Sequence, residues 1–297
     1  MNKNKLGIIG LIFVVMFWGA GFPLIKYASE SITPLYQIGF RFLIASIFLG
    51  LLSFKKLKNI DKKLLKSSFI LSIALFFVFL CTVFGMQYTT STNASFYCCL
   101  AILIVPFLSR IFLKEKIKSK SIVCIAICFV GLYLVSFSGG TSFNLGDLLC
   151  LGASLSFAVQ IILTEVFVKD SDTTLLTVLE MFFVSIYGFI AAAIFEPFPT
   201  MVTTRSILSL LFIAFFCTCF AFYMQTKCQK FLSSTQISII FTLEPLFGVL
   251  MSWLLLGETL GIKGVFGGIL IIIALFISEI NFNNLFKKNK LLVKKES

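Results

Sequence analysis

Five ionisable side chains stand inside, or at the margins of, long apolar stretches: Lys26, Arg41, Glu165, Glu180 and Glu244. A charge in lipid is costly, so it is kept where it pairs, lines a pathway or meets a charged molecule. The chemistry open to such groups is electrostatic capture and proton exchange. Glu244 is the deepest. It lies about ten residues into its apolar run, or roughly 15 Å along a helix rising 1.5 Å per residue, near a membrane midplane. Pro245 follows it, weakens the helical ladder and exposes carbonyls to a cavity. Glu244 therefore reads as a contact for a substrate amine or as a protonatable switch. The alternative is a structural carboxylate paired to Arg41 or capped by a hydroxyl.

Arg41 sits about 9 Å from the end of its run by the same rise, and Lys26 lies near that end of the preceding run. Glu180 and Glu165 occupy matching depths at the opposite side. One reading makes these two gates, one basic and one acidic, each able to bind charges from the other half of the chain. In the other, Lys26 and Glu165 snorkel at helix ends. Trp18 is a mid-span aromatic able to stack on a substrate or cation. Gly19, Gly21 and Pro23 around it, like Pro245, are hinge candidates. Asn93, Ser95, Tyr97, Gln160, Tyr223 and Gln236 are polar residues for cavity lining or for hydrogen bonds between helices. Glu115 and Glu258 fall in equivalent tight turns and read as cap or turn residues. Trp253 reads as an interfacial anchor. Gly264 and Gly268 form a GxxxG that permits close helix approach, within the chain or in a homodimer.

The elements that hold these residues must be membrane spans. The chain has 297 residues, of which 59% are hydrophobic, and a mean hydropathy of +1.03. A soluble domain of that composition would expose apolar patches beyond what solubility permits. The runs are continuous, which excludes an alternating β-barrel pattern. Ten spans are expected: Leu6–Tyr27, Leu35–Ser53, Ser67–Tyr88, Ala94–Leu113, Ser121–Phe137, Gly146–Val166, Thr174–Phe195, Ser206–Gln225, Thr235–Leu256 and Ile262–Phe282. The first run is too long for the apolar core of a signal peptide.

The net charge of +12 lies in short segments between these runs, the pattern of basic cytoplasmic loops and not of a nucleic-acid surface. With the N-terminus inside, 21 Lys and Arg face the cytoplasm and only Arg205 and Lys263 face outward. Both termini are thus expected in the cytoplasm. The chain has no His, and its nine Cys form no CxxC. No metal, zinc or haem site and no other cofactor is expected, and the cysteines read as small core residues. No GxxxxGK[ST], HExxH or GxSxG is present, so neither an ATP-driven pump nor an intramembrane enzyme is favoured.

The two halves are alike. An offset of 139 residues carries Trp18 onto Phe157, Lys26 onto Glu165 and Arg41 onto Glu180; near the ends of the halves the offset is 143, carrying Ala101 onto Glu244 and Glu115 onto Glu258. Five spans per half is an odd number, so the second half enters the membrane upside down. The expected fold is all-α and integral to the membrane: ten transmembrane helices as two inverted five-helix repeats, residues 1–138 and 139–284, with a basic tail at 285–297.

The sequence resembles the EamA-type branch of the drug/metabolite transporter superfamily. The resemblance is carried by Trp18-Gly19-Ala20-Gly21-Phe22-Pro23 with Lys26, and by Arg41-Phe42-Leu43-Ile44-Ala45. It continues through Pro106 with Lys114-Glu115, then Leu243-Glu244-Pro245 and Gly257-Glu258-Thr259-Leu260. Lys114 departs from the family's usual Gly. The resemblance implies a pseudosymmetric carrier whose first four helices in each half line a central cavity. It also implies a small-molecule substrate, often moved outward. The expected function is a secondary transporter of an amino acid or similar metabolite in the plasma (inner) membrane, working by alternating access. A membrane scaffold or sensor and an intramembrane enzyme are the competing readings.

Overall fold

The structure is a computed structural model. It describes residues 3–114 and 143–279, apart from 233, 242 and 260, together with 123, 126, 127, 130, 131, 133 and 134. Glu115, most of the span expected over 121–137, and the tail lie outside the described residues, as does the side chain of Gln236.

The described chain is helical, with α1 (Lys3–Ser29), α2 (Pro34–Leu52), a 3-10 turn (Phe54–Asn59), α3 (Lys62–Gly85), α4 (Ser91–Cys99) and α5 (Ala101–Phe112). The second half holds α6 (Leu145–Phe167), α7 (Thr173–Phe195), α8 (Thr204–Phe212), a π-helical segment (Ile213–Phe220), α9 (Ala221–Gln229), α10 (Ser234–Phe241), α11 (Glu244–Leu256) and α12 (Ile262–Glu279). Among the described residues, seven helices are long and apolar enough to cross a membrane: Gly7–Ser29, Pro34–Leu52, Lys62–Gly85, Ser91–Phe112, Leu145–Phe167, Thr173–Phe195 and Thr204–Gln229. Two shorter apolar helices, Glu244–Leu256 and Ile262–Ala274, follow. This is a multi-pass membrane protein.

Local chemistry sets the starts of these helices. Asp61 accepts from the Leu64 N–H at 2.7 Å to open α3. Asn144 and Asp147 form a reciprocal capping box on α6, and Asp172 accepts from Thr174 and Leu175 on α7. Each cap satisfies donors that a helix start leaves free. The outward faces are apolar, as lipid demands: Phe195, Ile262 and Trp253 are among the exposed residues.

Packing runs mainly between the halves, α2 on α7, α3 on α6 and α1 on α11. Glycine sets the closest approaches. A Cβ on Gly188 would sit 2.7 Å from the Gly39 nitrogen, and one on Gly50 would meet Val178. As the chain advances along α2 its contacts retreat along α7, so these two helices, matched by the offset of 139, lie antiparallel. A Cβ on Gly19 would fall 2.5 Å from Phe247, so Gly19 lets α1 and α11 touch. Helix α1 runs through Gly19, Gly21 and Pro23 without a break. Gly268 faces Phe96, 2.8 Å from where a Cβ would lie, so this half of the GxxxG is used within the chain.

The fourth and ninth spans are both interrupted. α4 gives way to α5 around Leu100, whose N–H bonds the Tyr97 carbonyl at 3.2 Å; α10 gives way to α11 around Leu243, whose N–H bonds the Ile240 carbonyl at 3.1 Å. The offset of 143 carries Tyr97 onto Ile240 and Leu100 onto Leu243. The span expected as one helix from Thr235 to Leu256 is therefore two helices, with Glu244 and Pro245 opening the second.

Candidate functional site

A small cavity of about 70 Å³ lies between the halves. Trp18 and Phe22 of α1, Arg41 of α2, Phe79 and Thr82 of α3, Phe157 of α6, Phe222 of α9 and Glu244 of α11 contribute to its wall. That volume suits a few waters, so any metabolite must part the walls.

The π segment organises the cationic side. Thr218 Oγ donates to the Ile213 carbonyl at 2.8 Å, five residues back. Cys217, beside it, has a backbone carbonyl that accepts from two side chains of the first half. The Trp18 indole N–H donates to that oxygen at 2.9 Å, and Arg41 Nη2 reaches it at 3.4 Å. Arg41 Nε also donates to Thr218 Oγ1. Widened helical turns of this kind recur at functional sites because they free backbone groups for other partners. The guanidinium lies 4.3 Å from the centroid of the Phe79 ring, a cation–π contact. Arg41 is 3% exposed, and its Nη1 has no hydrogen-bond partner among the described residues.

Glu244 faces the same cavity and is 7% exposed. Among the described residues it forms no ion pair with Arg41 and takes no hydroxyl as a cap. A basic and an acidic side chain thus share a cavity without bonding to each other. A ligand carrying both an anionic and a cationic group can bond to both.

Trp18 is enclosed by aromatic rings, 4.9 Å from Phe241, 5.5 Å from Phe157 and 5.6 Å from Phe222 by centroids. Phe157 is the residue that the offset of 139 matches to Trp18. Gly21 lines the cavity, where a Cβ would meet Cys217 Sγ at 3.4 Å.

Glu180 lies elsewhere, in a buried amide network. Gln160 Nε2 donates to Glu180 Oε1 at 3.0 Å; Gln225 Nε2 donates to Gln160 Oε1 at 2.9 Å; Gln229 Nε2 donates to the Ile161 carbonyl at 2.8 Å. Glu180 Oε2 has no partner among the described residues. The structure thus joins Gln160 to Glu180, away from the Arg41 and Glu244 cavity.

Lys26 pairs with Glu258 at 3.1 Å. The Glu258 carboxylate also accepts from the Ser91 N–H at 3.0 Å, the Thr92 N–H at 2.9 Å and the Thr92 hydroxyl at 3.0 Å. The turn residue thereby caps α4, a helix of the other half. Burial alone would raise the Glu258 pKa, but the backbone donors of Thr92 and Ser91 and the charge of Lys26 outweigh it and hold the carboxyl below its usual value. Glu165 caps α10 through the Ser234 N–H at 2.8 Å. Ser91 and Ser234 are matched by the offset of 143.

The remaining candidates stand outside the central cavity. Asn93 is buried in the first turn of α4, where its N–H donates to Thr90 Oγ1 at 3.0 Å. Tyr97 is 1% exposed and meets the Phe143 ring at 6.2 Å. Tyr223 lines a second, larger groove. Phe79, Thr218 and Cys217 were missed from the sequence: a threonine, a cysteine and one of 37 phenylalanines carry no local mark.

Two stretches of the chain, residues 5–137 and 144–279, match the EamA-like transporter family. A protein of Archaeoglobus fulgidus named an uncharacterized transporter is 33% identical, across 93% of this chain and 86% of its own. A Chlamydia muridarum protein named as an S-adenosylmethionine/S-adenosylhomocysteine transporter is 26% identical, across 84% of this chain and 85% of its own. One solved crystal structure superposes with a TM-score of 0.70 over 92% of this chain and 96% of its own, at 14% identity.

Proposed function

The chain belongs to the EamA-like transporter family and is a membrane transporter; we propose that it is a secondary carrier of a small zwitterionic metabolite, an amino acid or a relative of one, working by alternating access. The observation that carries this reading is the shared cavity. Arg41 Nη1, without a hydrogen-bond partner among the described residues, is free to meet a carboxylate, and Glu244, on the wall of the same cavity, can meet an ammonium. An α-amino acid brings both, and so does the amino-acid head of S-adenosylmethionine, the compound in the name of the Chlamydia muridarum relative.

Ten spans in two inverted repeats, residues 1–138 and 139–284, suit this mechanism. The antiparallel pairing of α2 with its counterpart α7 supports the inversion, as do the matched breaks at Leu100 and Leu243. Two inverted halves can expose one site to either side in turn. The narrow cavity fits an occluded stage of such a cycle. Trp18 walls the site, and Pro245 is the hinge at the broken ninth span. Gly21 and Pro23 in α1 would bend only in other stages. The basic segments support cytoplasmic termini, in keeping with a location in the plasma (inner) membrane. Outward movement rests on the family resemblance alone. Glu180 or Glu244 is the site of a coupled proton.

Counterflow tests the carrier directly. Purified protein in liposomes preloaded with unlabelled amino acids and S-adenosylmethionine is expected to accumulate the labelled compounds transiently. Amines lacking the carboxylate, or acids lacking the amine, should compete poorly. Competition by either half-molecule equal to that of the zwitterion would overturn the substrate class.

A further inference from the structure

A groove of about 880 Å³ opens between the end of α2, the 3-10 turn, and the π segment with α9. It does not contain the charged pair of the central site. Its wall is built from Phe48, Phe215, Phe216 and Phe220. Phe48 and Phe216 are 43% and 42% exposed, so this aromatic surface faces the bilayer. Toward the basic end the lining changes to Lys55, Lys56 and Tyr223.

The cations differ in their commitments. Lys56 is held by Asp172 at 2.9 Å. Lys55 has no carboxylate partner among the described residues and rests over the Phe54 ring at 5.9 Å. Lys227 reaches the Tyr223 hydroxyl at 3.2 Å and likewise pairs with no carboxylate among the described residues. Lys55 in the wall, and Lys227 held beside it by the lining Tyr223, thus bring two ammonium groups without carboxylate partners and a phenol to the mouth of an apolar slot that opens to lipid. An acyl chain matches the slot and a phosphate matches its mouth. Basic pockets between transmembrane helices bind anionic head groups for this reason.

We propose that this groove is a binding site for an anionic phospholipid of the leaflet at the basic end, with its acyl chain along the phenylalanines and its phosphate between Lys55 and Lys227. A net negative head group is required, because a zwitterionic lipid brings its own ammonium to compete with the two lysines. Tyr223 then belongs to a lipid contact and not to the metabolite path.

Native mass spectrometry of the detergent-purified full chain tests this without any transport measurement, so its outcome is independent of the carrier reading. The probes are phosphatidylglycerol and phosphatidylethanolamine with identical acyl chains. Wild type should retain phosphatidylglycerol in preference. Each of Lys55→Gln and Lys227→Gln should weaken retention about fivefold, the equivalent of about 1 kcal/mol per lysine. A Lys62→Gln/Lys66→Gln control on exposed positions of α3 should change little. Equal retention of the two lipids would overturn the proposal. So would equal loss in the control, which would reduce the effect to general surface charge.

Discussion

The two ends of the molecule carry matched positions but are tied in different ways. At one end Glu258 reaches from the second half to cap α4 and to pair with Lys26. Beside it, Glu196 accepts from the Leu35 N–H at 3.0 Å, capping α2 from across the halves. Ser206 Oγ donates to the Tyr27 carbonyl at 2.8 Å, and Arg205 pairs with Glu30 at 3.4 Å. At the basic end, the residue matched to Lys26 is Glu165, which caps α10 inside its own half. Among the described residues, the ion pairs that cross the halves there are Lys56 with Asp172 and Lys63 with Asp170, both at 2.9 Å and both exposed. Exposed pairs contribute little, about 0–1 kcal/mol, whereas charge-assisted caps shielded from water contribute about 1.5–3 kcal/mol each. The Glu258 end is therefore tied more strongly across the halves than the basic end, and under the alternating access proposed above the basic end is the one expected to open. The lesson is that a repeat can keep its helices and still use a charge swap, Lys26 against Glu165, to tie its two ends unequally.

The largest expected effect comes from cutting the stronger tie. Glu258→Ala removes the caps on Ser91 and Thr92 together with the Lys26 pair. It should lower stability by about 3 kcal/mol, read as a fall in melting temperature in detergent. Glu165→Ala removes a single cap and no ion pair and should cost half as much, ~1.5 kcal/mol. Equal losses in the two variants would erase the asymmetry.

Acid should act on the same end. The folded pKa of Glu258 lies below its usual value, so its stabilising contribution is complete above the usual carboxylate range. It is lost as pH falls through the depressed folded value. The gap in melting temperature between wild type and Glu258→Gln should accordingly shrink in acid and hold steady near neutrality. A gap independent of pH would contradict the assignment. The smallest effect is expected of Lys63→Ala, which breaks a pair exposed on both sides and should change stability by less than about 0.5 kcal/mol.

Much of the fold was legible because lipid imposes it. Continuous apolar runs gave the described spans to within a few residues, and Pro245 pointed to a weak place in the ninth, a span nonetheless expected as one helix. The break at Leu100 has no proline of its own and shows only through the matched position in the other half. The π segment is invisible in the sequence, since Ile213–Phe220 reads as any apolar run. Its turn is set by Thr218 and by partners nearly two hundred positions away, Trp18 and Arg41. Glu258 was read as a turn residue, which it is, but its caps lie on the other half, and local pattern cannot report such a contact. Arg41, Glu244 and Trp18 were marked by type and depth alone. That they meet at one cavity, while Glu180 and Gln160 form a separate network, depends on how helices rotate against each other.

The central claim is that Glu244 and Arg41 hold opposite ends of one substrate. Its most direct test is counterflow of labelled amino acids and S-adenosylmethionine through Glu244→Gln in liposomes, beside wild type. The account predicts exchange by wild type and its loss in Glu244→Gln, with the melting temperature preserved. Undiminished exchange through Glu244→Gln would contradict it.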